Sequence, residues 1–142
     1  MNKIAVIYWS GTGNTESMAK SICKALKASS DVVDLFEVDS VTAEIAGKYD
    51  KLALGCSAMG DEVLEEMSFE PFFVELESKL SGMKIALFGS YGWGDGAWMR
   101  DWQERVKQSG ALLFEEGLMI NDTPDANGLE VCTAFGKRFA AF

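Results

Sequence analysis

The chain alternates short, continuously apolar runs with segments whose apolar residues recur at helical spacing. Three runs are dominated by Val, Ile, Leu, Ala and Phe: Lys3 to Tyr8, Lys51 to Cys56 and Lys84 to Ser90. Such runs are typical of parallel strands that are covered on both faces. Asp34 to Val38 and Leu118 to Asn121 are weaker strand candidates.

The intervening segments predict helices. Each carries one apolar face, namely Met18, Ala19, Ile22, Cys23, Ala25 and Leu26; Phe69, Phe72, Phe73, Leu76 and Leu80; Trp98, Trp102 and Val106; and Leu129, Cys132, Phe135 and Phe139. Thr42 to Lys48 is a shorter helix candidate. Five strands alternating with five helices predict an α/β fold, a doubly wound five-stranded parallel sheet with helices on both faces, in a single domain covering residues 1–142.

Composition limits the possible partners and chemistry. The net charge is −9, from 13 basic and 22 acidic residues, which argues against nucleic acid or an anionic membrane and favours partners with basic patches. Without histidine, imidazole catalysis is excluded and no metal site is expected. Cys23, Cys56 and Cys132 lie in apolar segments and are expected to be buried and unreactive. No apolar run suits a signal peptide or a membrane span, so we expect a cytoplasmic protein.

In a doubly wound sheet, ligands bind at the carboxyl ends of the strands where the strand order reverses, so three loops matter most. The first reads Ser10-Gly11-Thr12-Gly13-Asn14-Thr15 and leads into the first predicted helix. A helix start binds anions through its free amides, and the two glycines allow close approach. The alternative is a simple capped turn, with Thr or Asn as N-cap and Glu16 in the first helical turn. Four short donors beside two glycines exceed what a cap requires, which favours a phosphate site.

Comparison with other phosphate loops narrows the ligand. The loop lacks the lysine of a nucleoside-triphosphate loop, and Glu16 stands where a dinucleotide fingerprint requires its third glycine. It also lacks the cysteine and arginine of a cysteine-based phosphatase. The acidic residues of a receiver domain are missing from the first and third strand ends, which hold Trp9-Ser10 and Ser57. These differences favour a site that anchors one terminal phosphate without reacting with it.

The other two loops are rich in glycine and large apolar residues. They read Ser57-Ala58-Met59-Gly60-Asp61-Glu62 and Ser90-Tyr91-Gly92-Trp93-Gly94-Asp95-Gly96. A flat aromatic ligand could lie between Met59 and Trp93, with loop amides donating to its polar edge. Alternatively, Tyr91 and Trp93 only pack over the edge of the sheet. The neighbouring phosphate loop favours the ligand site.

Three motifs together resemble the flavodoxin family, particularly the short-chain flavodoxins of clostridial type. They are YWSGTGNTE at 8–16, GCSAMGDEVLEE at 55–66 and GSYGWGDGAWMRDW at 89–102, and the resemblance runs over essentially the whole chain. It implies a flavodoxin-like fold with strand order 2-1-3-4-5. It also implies noncovalently bound FMN and electron transfer between redox partner proteins.

The resemblance also implies roles for individual residues. The FMN phosphate is expected to be bound by Ser10, Thr12, Asn14, Thr15 and Ser57, and the ring to be flanked by Met59 and Trp93. Backbone of residues 58–62 and 90–95 and the Glu62 side chain are expected at the polar edge of the ring, with Asn121 also in contact. The full expected set is Ser10, Gly11, Thr12, Gly13, Asn14, Thr15, Ser57, Ala58, Met59, Gly60, Asp61, Glu62, Ser90, Tyr91, Gly92, Trp93, Gly94, Asp95 and Asn121.

The sequence thus predicts a low-potential one-electron carrier rather than an enzyme. It is expected to be a monomer that docks on basic surfaces of reductases or ferredoxin-linked enzymes. Repulsion from acids near the ring would lower the potential, unless these acids form only a solvated face; the acids are Asp61, Glu62, Glu65, Glu66 and Asp95. Two alternatives remain open: an FMN-dependent quinone or NAD(P)H oxidoreductase on the same fold, and a non-redox module for another phosphorylated aromatic ligand.

Overall fold

The computed structural model describes residues 3–29 and 32–142, which form a parallel sheet covered by helices on both faces. The strands are β1 (Lys3–Trp9), β2 (Val32–Glu37), β3 (Lys51–Cys56), β4 (Lys84–Tyr91), β5 (Leu112–Leu113) and β6 (Leu118–Asn121). They lie in the order β2-β1-β3-β4-β5, and β6 also pairs with β4. The predicted strand order is confirmed.

Two short strands share the fifth position of the sheet. Leu112 pairs with Lys84 at the start of β4, and Leu118 pairs with Phe88 nearer its end. The chain between β5 and β6 leaves the ladder, and Glu115 there has a φ of 50°. The five predicted positions of the sheet are confirmed, but the fifth position is divided between two strands. The sequence did not predict β5, because a two-residue strand is too short to show a hydrophobic period.

Five α-helices are present in the described part of the chain. They are α1 (Asn14–Lys27), α2 (Ala43–Ala46), α3 (Phe69–Glu77), α4 (Ala97–Gln108) and α5 (Ala126–Ala141), and Val38–Ser40 forms one 3₁₀ turn. The predicted apolar faces are buried, apart from the half-buried Leu129. Helices α1 and α5 pack on one face of the sheet, and α2, α3 and α4 on the other. Among the described residues, none of the helices combines the length and the apolar character needed to cross a bilayer.

All three cysteines are free and buried, as the sequence predicted. Burial raises the pKa of each thiol, that of Cys132 to about 11. Because the thiolate is the reactive form, these side chains act as small apolar groups in the core.

Candidate functional site

A cleft of about 280 Å³ lies at the carboxyl ends of β1, β3 and β4. Its lining residues are Trp9, Gly11, Thr12, Asn14, Ser57, Ala58, Met59, Ser90, Tyr91, Gly92 and Asp122. The fold therefore brings the three predicted loops together at one edge of the sheet, beside β1, where the strand order reverses.

Three hydroxyl groups connect these loops behind the cleft. The Thr15 hydroxyl lies 2.6 Å from that of Ser57 and 3.1 Å from that of Ser90, and it accepts the Ser90 N–H at 3.2 Å. Thr15 is fully buried, whereas Ser57 and Ser90 line the cleft. Thr15 thus fixes the first turn of α1 against the ends of β3 and β4.

The first loop is shaped by the Ser10 hydroxyl. It accepts the N–H groups of Gly13 at 3.1 Å and Glu16 at 3.2 Å. Gly13 is the N-cap of α1, with a φ of 94° that favours glycine. The alternative in which Thr or Asn caps this helix was therefore wrong, because Ser10 performs the capping from three residues before Gly13.

The second loop is closed by a backbone bridge. Met59 and Val63 exchange two hydrogen bonds of 2.9 Å, and Gly60 and Glu62 between them have φ values of 49° and 57°. Glu62 Oε1 accepts the N–H groups of Gly96 at 3.0 Å and Ala97 at 3.2 Å, at the start of α4. Glu62 therefore joins the second loop to the third and uses only one of its two oxygens to do so.

The third loop is held by the end of β6. The Asn121 amide donates to the carbonyls of Tyr91 at 3.1 Å and Gly92 at 3.3 Å, so it supports the loop from outside the cleft. The Tyr91 ring packs against Trp98 with 5.8 Å between ring centroids, and Tyr91 also lines the cleft. Trp93 is 65% exposed and is available for a ligand or partner, although it does not line the cleft.

The lining separates the predicted residues into two sets. Those that line the cleft are Gly11, Thr12, Asn14, Ser57, Ala58, Met59, Ser90, Tyr91 and Gly92. Those that do not are Ser10, Gly13, Thr15, Gly60, Asp61, Glu62, Trp93, Gly94, Asp95 and Asn121. All of the second set belong to, or support, the loops that form the cleft.

Two lining residues, Trp9 and Asp122, are absent from the predicted set. The Trp9 ring lies beneath Gly11, where an added Cβ would be 3.0 Å from the ring atom Cη2. Trp9 immediately precedes the phosphate loop, which is the signal that could have identified it. Asp122 follows the last strand with a φ of 57°, and only its neighbour Asn121 pointed to this position.

Besides Glu62, two more of the five predicted ring-site acids have hydrogen-bond or ion-pair partners within the protein. Glu65 is buried, and its carboxylate accepts the N–H groups of Met67, Ser68 and Phe69 at 2.8 Å each, at the start of α3. Asp95 pairs with Arg100 at 3.0 Å, and this hydrogen bond lowers the pKa of the Asp95 carboxyl. The expectation that both contribute free negative charge at the ring site is therefore corrected.

The strand order, together with the cleft at its reversal point, defines a doubly wound α/β protein of the kind that binds nucleotide-like ligands. A family model described as flavodoxin matches residues 6–136. The chain belongs to the flavodoxin family, as its motifs indicated. Proteins of this family bind FMN and transfer electrons, so the chain is an FMN-binding electron-transfer protein rather than an enzyme.

Individual relatives support the same family membership. The chain is 50% identical over 135 residues to a flavodoxin from Clostridium beijerinckii, with 95% of this chain and 97% of the relative covered. A flavodoxin from Megasphaera elsdenii is 43% identical over 122 residues, covering 86% of this chain and 88% of the relative. The solution structure of two-electron reduced Megasphaera elsdenii flavodoxin superposes with a TM-score of 0.87 at 41% identity, covering 98% of this chain and 99% of that one.

The chemistry of the cleft fits FMN. Thr12, Asn14 and Ser57 offer neutral donors at its phosphate-loop side, while Trp9 and Met59 offer apolar and aromatic contact surface. None of the lining residues in the described ranges is lysine or arginine. A phosphate monoester joined to a flat ring matches both parts of this lining.

Proposed function

We propose that the chain is a low-potential one-electron carrier that holds FMN in the cleft and exchanges electrons with partner proteins. When bound, FMN supplies a ring that takes up and releases single electrons. The observation that carries this proposal is the charge of the cleft, whose lining residues in the described part of the chain combine neutral donors with one carboxylate and no cation. Such a lining anchors a phosphate without favouring further negative charge on the reduced ring.

The phosphate is proposed to lie at the start of α1. Thr12, Asn14 and Ser57 line the cleft there and would donate directly. Ser10 and Thr15 hold the loop and the floor in place through their own hydrogen bonds. The free amides and the helix dipole replace the lysine that other phosphate loops use.

The ring is proposed to lie between Met59 and Trp93. Backbone amides of the second and third loops would face its polar edge, and Glu62 keeps one carboxylate oxygen outside its bonds to α4. Because Glu62 ties these two loops together, the same side chain would fix the separation of the walls around the ring.

Partner proteins are proposed to dock at the rim of the cleft. The chain is proposed to act as a monomer and in the cytoplasm. Asp61, Glu66, Met67 and Trp93 are exposed beside or near the second and third loops. With the net charge of −9, this rim suits the basic surfaces of reductases or ferredoxin-linked enzymes. The association rate is expected to fall as salt is added.

Two measurements test the function. The protein as purified should show the visible absorbance of bound FMN, and a colourless protein that does not take up added FMN would contradict the proposal. In a steady-state assay with NADPH and a quinone, turnover should be negligible until a partner reductase is added. Turnover by the chain alone would instead support the oxidoreductase alternative.

Substitution of Gly60 by valine is expected to narrow the gap between the two one-electron potentials of bound FMN. The resemblance implies that the peptide after Gly60 turns when the flavin gains one electron. Gly60 has a φ of 49° with no atom within 4 Å of an added Cβ, so the cost is backbone strain rather than a clash. If this strain costs the one-electron-reduced protein ~1 kcal/mol, the potential for the first electron would fall by ~40 mV and the potential for the second would rise by ~40 mV.

Spectroelectrochemical titration measures both potentials. Gly60→Asn is the control, because asparagine tolerates the left-handed region better than valine does and should leave a smaller change. Two potentials that are unchanged in Gly60→Val would show that the loop does not need this conformation.

Substitution of Trp93 by alanine is expected to weaken FMN binding by roughly tenfold, since a stacked aromatic side chain contributes ~1 to 3 kcal/mol. Trp93 is 65% exposed, so its removal should leave the fold intact. A fluorescence titration measures the dissociation constant, and Trp93→Phe should retain most of the affinity. Equal affinity in Trp93→Ala and the parent would mean that Trp93 does not contact the ring.

A further inference from the structure

We propose that a second cavity, which lies between α3 and α4, binds a small neutral aromatic molecule that carries a hydroxyl group. The buried indole N–H of Trp102 would donate to the hydroxyl oxygen. None of the residues that line this α3–α4 cavity also lines the cleft, so the inference goes beyond the proposed function and does not depend on it.

The α3–α4 cavity has a volume of about 230 Å³. It is formed by the end of the second loop, the first turn of α3 and one side of α4, and its lining residues are Glu62, Val63, Leu64, Glu70, Trp98, Asp101, Trp102 and Arg105. Apolar cavities of ~150 Å³ in protein interiors accept a benzene ring. The α3–α4 cavity is therefore large enough for one substituted ring.

The Trp102 indole is the observation that points to a ligand. Its side chain is fully buried and borders the cavity. In residues 3–29 and 32–142, Trp102 Nε1 is the one buried side-chain nitrogen or oxygen without a hydrogen-bond partner. The Trp98 indole in the same lining differs, because its N–H already donates to the Cys56 carbonyl at 3.1 Å.

The Trp102 ring has little freedom to reach an acceptor elsewhere. It packs edge to face against Phe69 and Phe73, with 5.3 and 6.0 Å between ring centroids. A buried N–H without an acceptor costs free energy, because its hydrogen bond with water is lost and not replaced. An oxygen atom of a ligand in the cavity would restore this hydrogen bond, and the ligand would bind more tightly as a result.

The uncharged part of the lining suits a flat apolar molecule. Trp98 and Trp102 contribute indole rings, and Val63 and Leu64 add aliphatic side chains. An aromatic ring packs well against indoles, and its removal from water favours binding. These walls therefore favour an aromatic ring as the body of the ligand.

The charged part of the lining disfavours an anion. Arg105 is already paired with Glu70 at 2.7 Å and with Glu77 at 2.9 Å, so its positive charge is offset. Glu62 and Asp101 add two more carboxylates, which would repel a carboxylate or phosphate group. The oxygen that accepts the indole N–H is therefore expected to belong to a neutral group.

A hydroxyl group fits both kinds of polar neighbour. Its oxygen can accept the Trp102 Nε1–H while its own proton is donated to a carboxylate. Asp101 lines the cavity beside Trp102, and no lysine or arginine nitrogen of the described ranges lies within 4.0 Å of its carboxylate. Asp101 is therefore the proposed acceptor, and phenol is the simplest molecule that combines the ring with the hydroxyl.

The first test follows the tryptophan indole N–H signals by heteronuclear NMR while phenol is added to the FMN-loaded protein. FMN keeps the cleft filled, and the four tryptophans of the chain give four signals. The Trp102 signal should move downfield and saturate, because a new hydrogen bond deshields the proton. The signals of Trp9 and Trp93, which do not line the α3–α4 cavity, should stay in place.

The second test compares the dissociation constants of phenol and toluene, which differ in the hydroxyl group. Trp102→Phe keeps an aromatic ring but removes the N–H. The ratio of the toluene constant to the phenol constant should therefore fall about fivefold, the effect of one neutral hydrogen bond. Comparing ratios cancels the change in cavity size, which affects both probes.

Asp101→Ala tests the other half of the site and keeps the inference testable if Trp102→Phe does not fold. Asp101 is exposed, so its removal should leave the fold intact, and the same ratio should fall by a similar factor. Glu104→Ala is the matched control, because Glu104 is an exposed acid of α4 that does not line the cavity. Its ratio should equal that of the parent.

Three results would overturn the inference. A Trp102 signal that phenol does not move would show that the cavity takes up only water. Equal movement of the Trp93 signal would indicate nonspecific binding at exposed aromatic groups. A ratio that stays at the parent value in both Trp102→Phe and Asp101→Ala would show that the cavity does not recognise the hydroxyl group.

Discussion

Substitution of Gly89 by alanine is expected to lower the free energy of unfolding by ~3 kcal/mol, which is the upper range for overpacking in a core. Gly89 lies in β4, where an added Cβ would overlap the backbone oxygen of Cys56 in the adjacent strand β3. It would also lie 3.2 Å from Trp98 Cζ2. Backbone and a fully packed ring cannot both move aside, so the strands must separate.

The same carbonyl has a second function. Cys56 O accepts the Trp98 Nε1–H at 3.1 Å, which joins β3 to the first turn of α4. Moving the carbonyl would weaken this buried hydrogen bond, at a further cost of ~1 kcal/mol. The substitution is therefore expected to destabilise the base of the second and third cleft loops as well as the sheet.

Denaturant unfolding of the ligand-free protein measures the effect, and Gly92→Ala is its control. An added Cβ on Gly92 has Asp122 Oδ1 at 3.6 Å as its nearest contact, which is ordinary van der Waals distance. Its unfolding free energy should stay within ~0.5 kcal/mol of the parent. If Gly89→Ala unfolded at the same denaturant concentration as Gly92→Ala, the close approach of β3 and β4 would be disproved.

The strands and the core were predictable from the sequence because burial leaves a hydrophobic period, whereas the strand order was implied by the resemblance to the flavodoxin family. The apolar run Lys51 to Cys56 is β3 with the predicted bounds, and the helical faces that begin at Met18 and Phe69 are buried. A sheet covered on both sides needs such runs, and the loops at their carboxyl ends then converge by topology. The location of the cleft followed from the same argument.

The partners of charged side chains were not predictable in this way. Glu62, Glu65 and Asp95 are all acids in glycine-rich or irregular segments, and nothing in their spacing separates a solvated carboxylate from a helix cap. The structure separates them because the starts of α3 and α4 are brought to Glu65 and Glu62. An acid's contribution to the ring site depends on whether amides already bind it.

Asp122 shows the opposite case. In the sequence it is one acid among the turn residues before α5, but a positive φ places it at the cleft. A single residue in the left-handed conformation leaves no period, so sequence patterns could not assign it to the site.

Substitution of Thr15 by valine is expected to weaken FMN binding by roughly 100-fold, about 2.7 kcal/mol at 1.36 kcal/mol per tenfold change. Valine keeps the shape of the buried side chain but removes the hydroxyl that lies 2.6 Å from Ser57 and accepts the Ser90 N–H. Ser57 would lose the group that orients its hydroxyl towards the phosphate. The buried Ser90 amide would lose its acceptor, which costs the fold ~1 to 3 kcal/mol.

Thr15→Ser separates the hydroxyl from the methyl group. Serine keeps the hydrogen bonds to Ser57 and Ser90, so FMN affinity should stay within a few-fold of the parent, with only a small loss of packing. Calorimetric titration gives the affinities, and denaturant unfolding of the ligand-free proteins gives the stabilities. If valine and serine bound FMN equally well, the hydroxyl cluster would have no part in holding the phosphate. If valine lost affinity without losing stability, the Ser90 amide would have another acceptor and only the orientation of Ser57 would depend on Thr15.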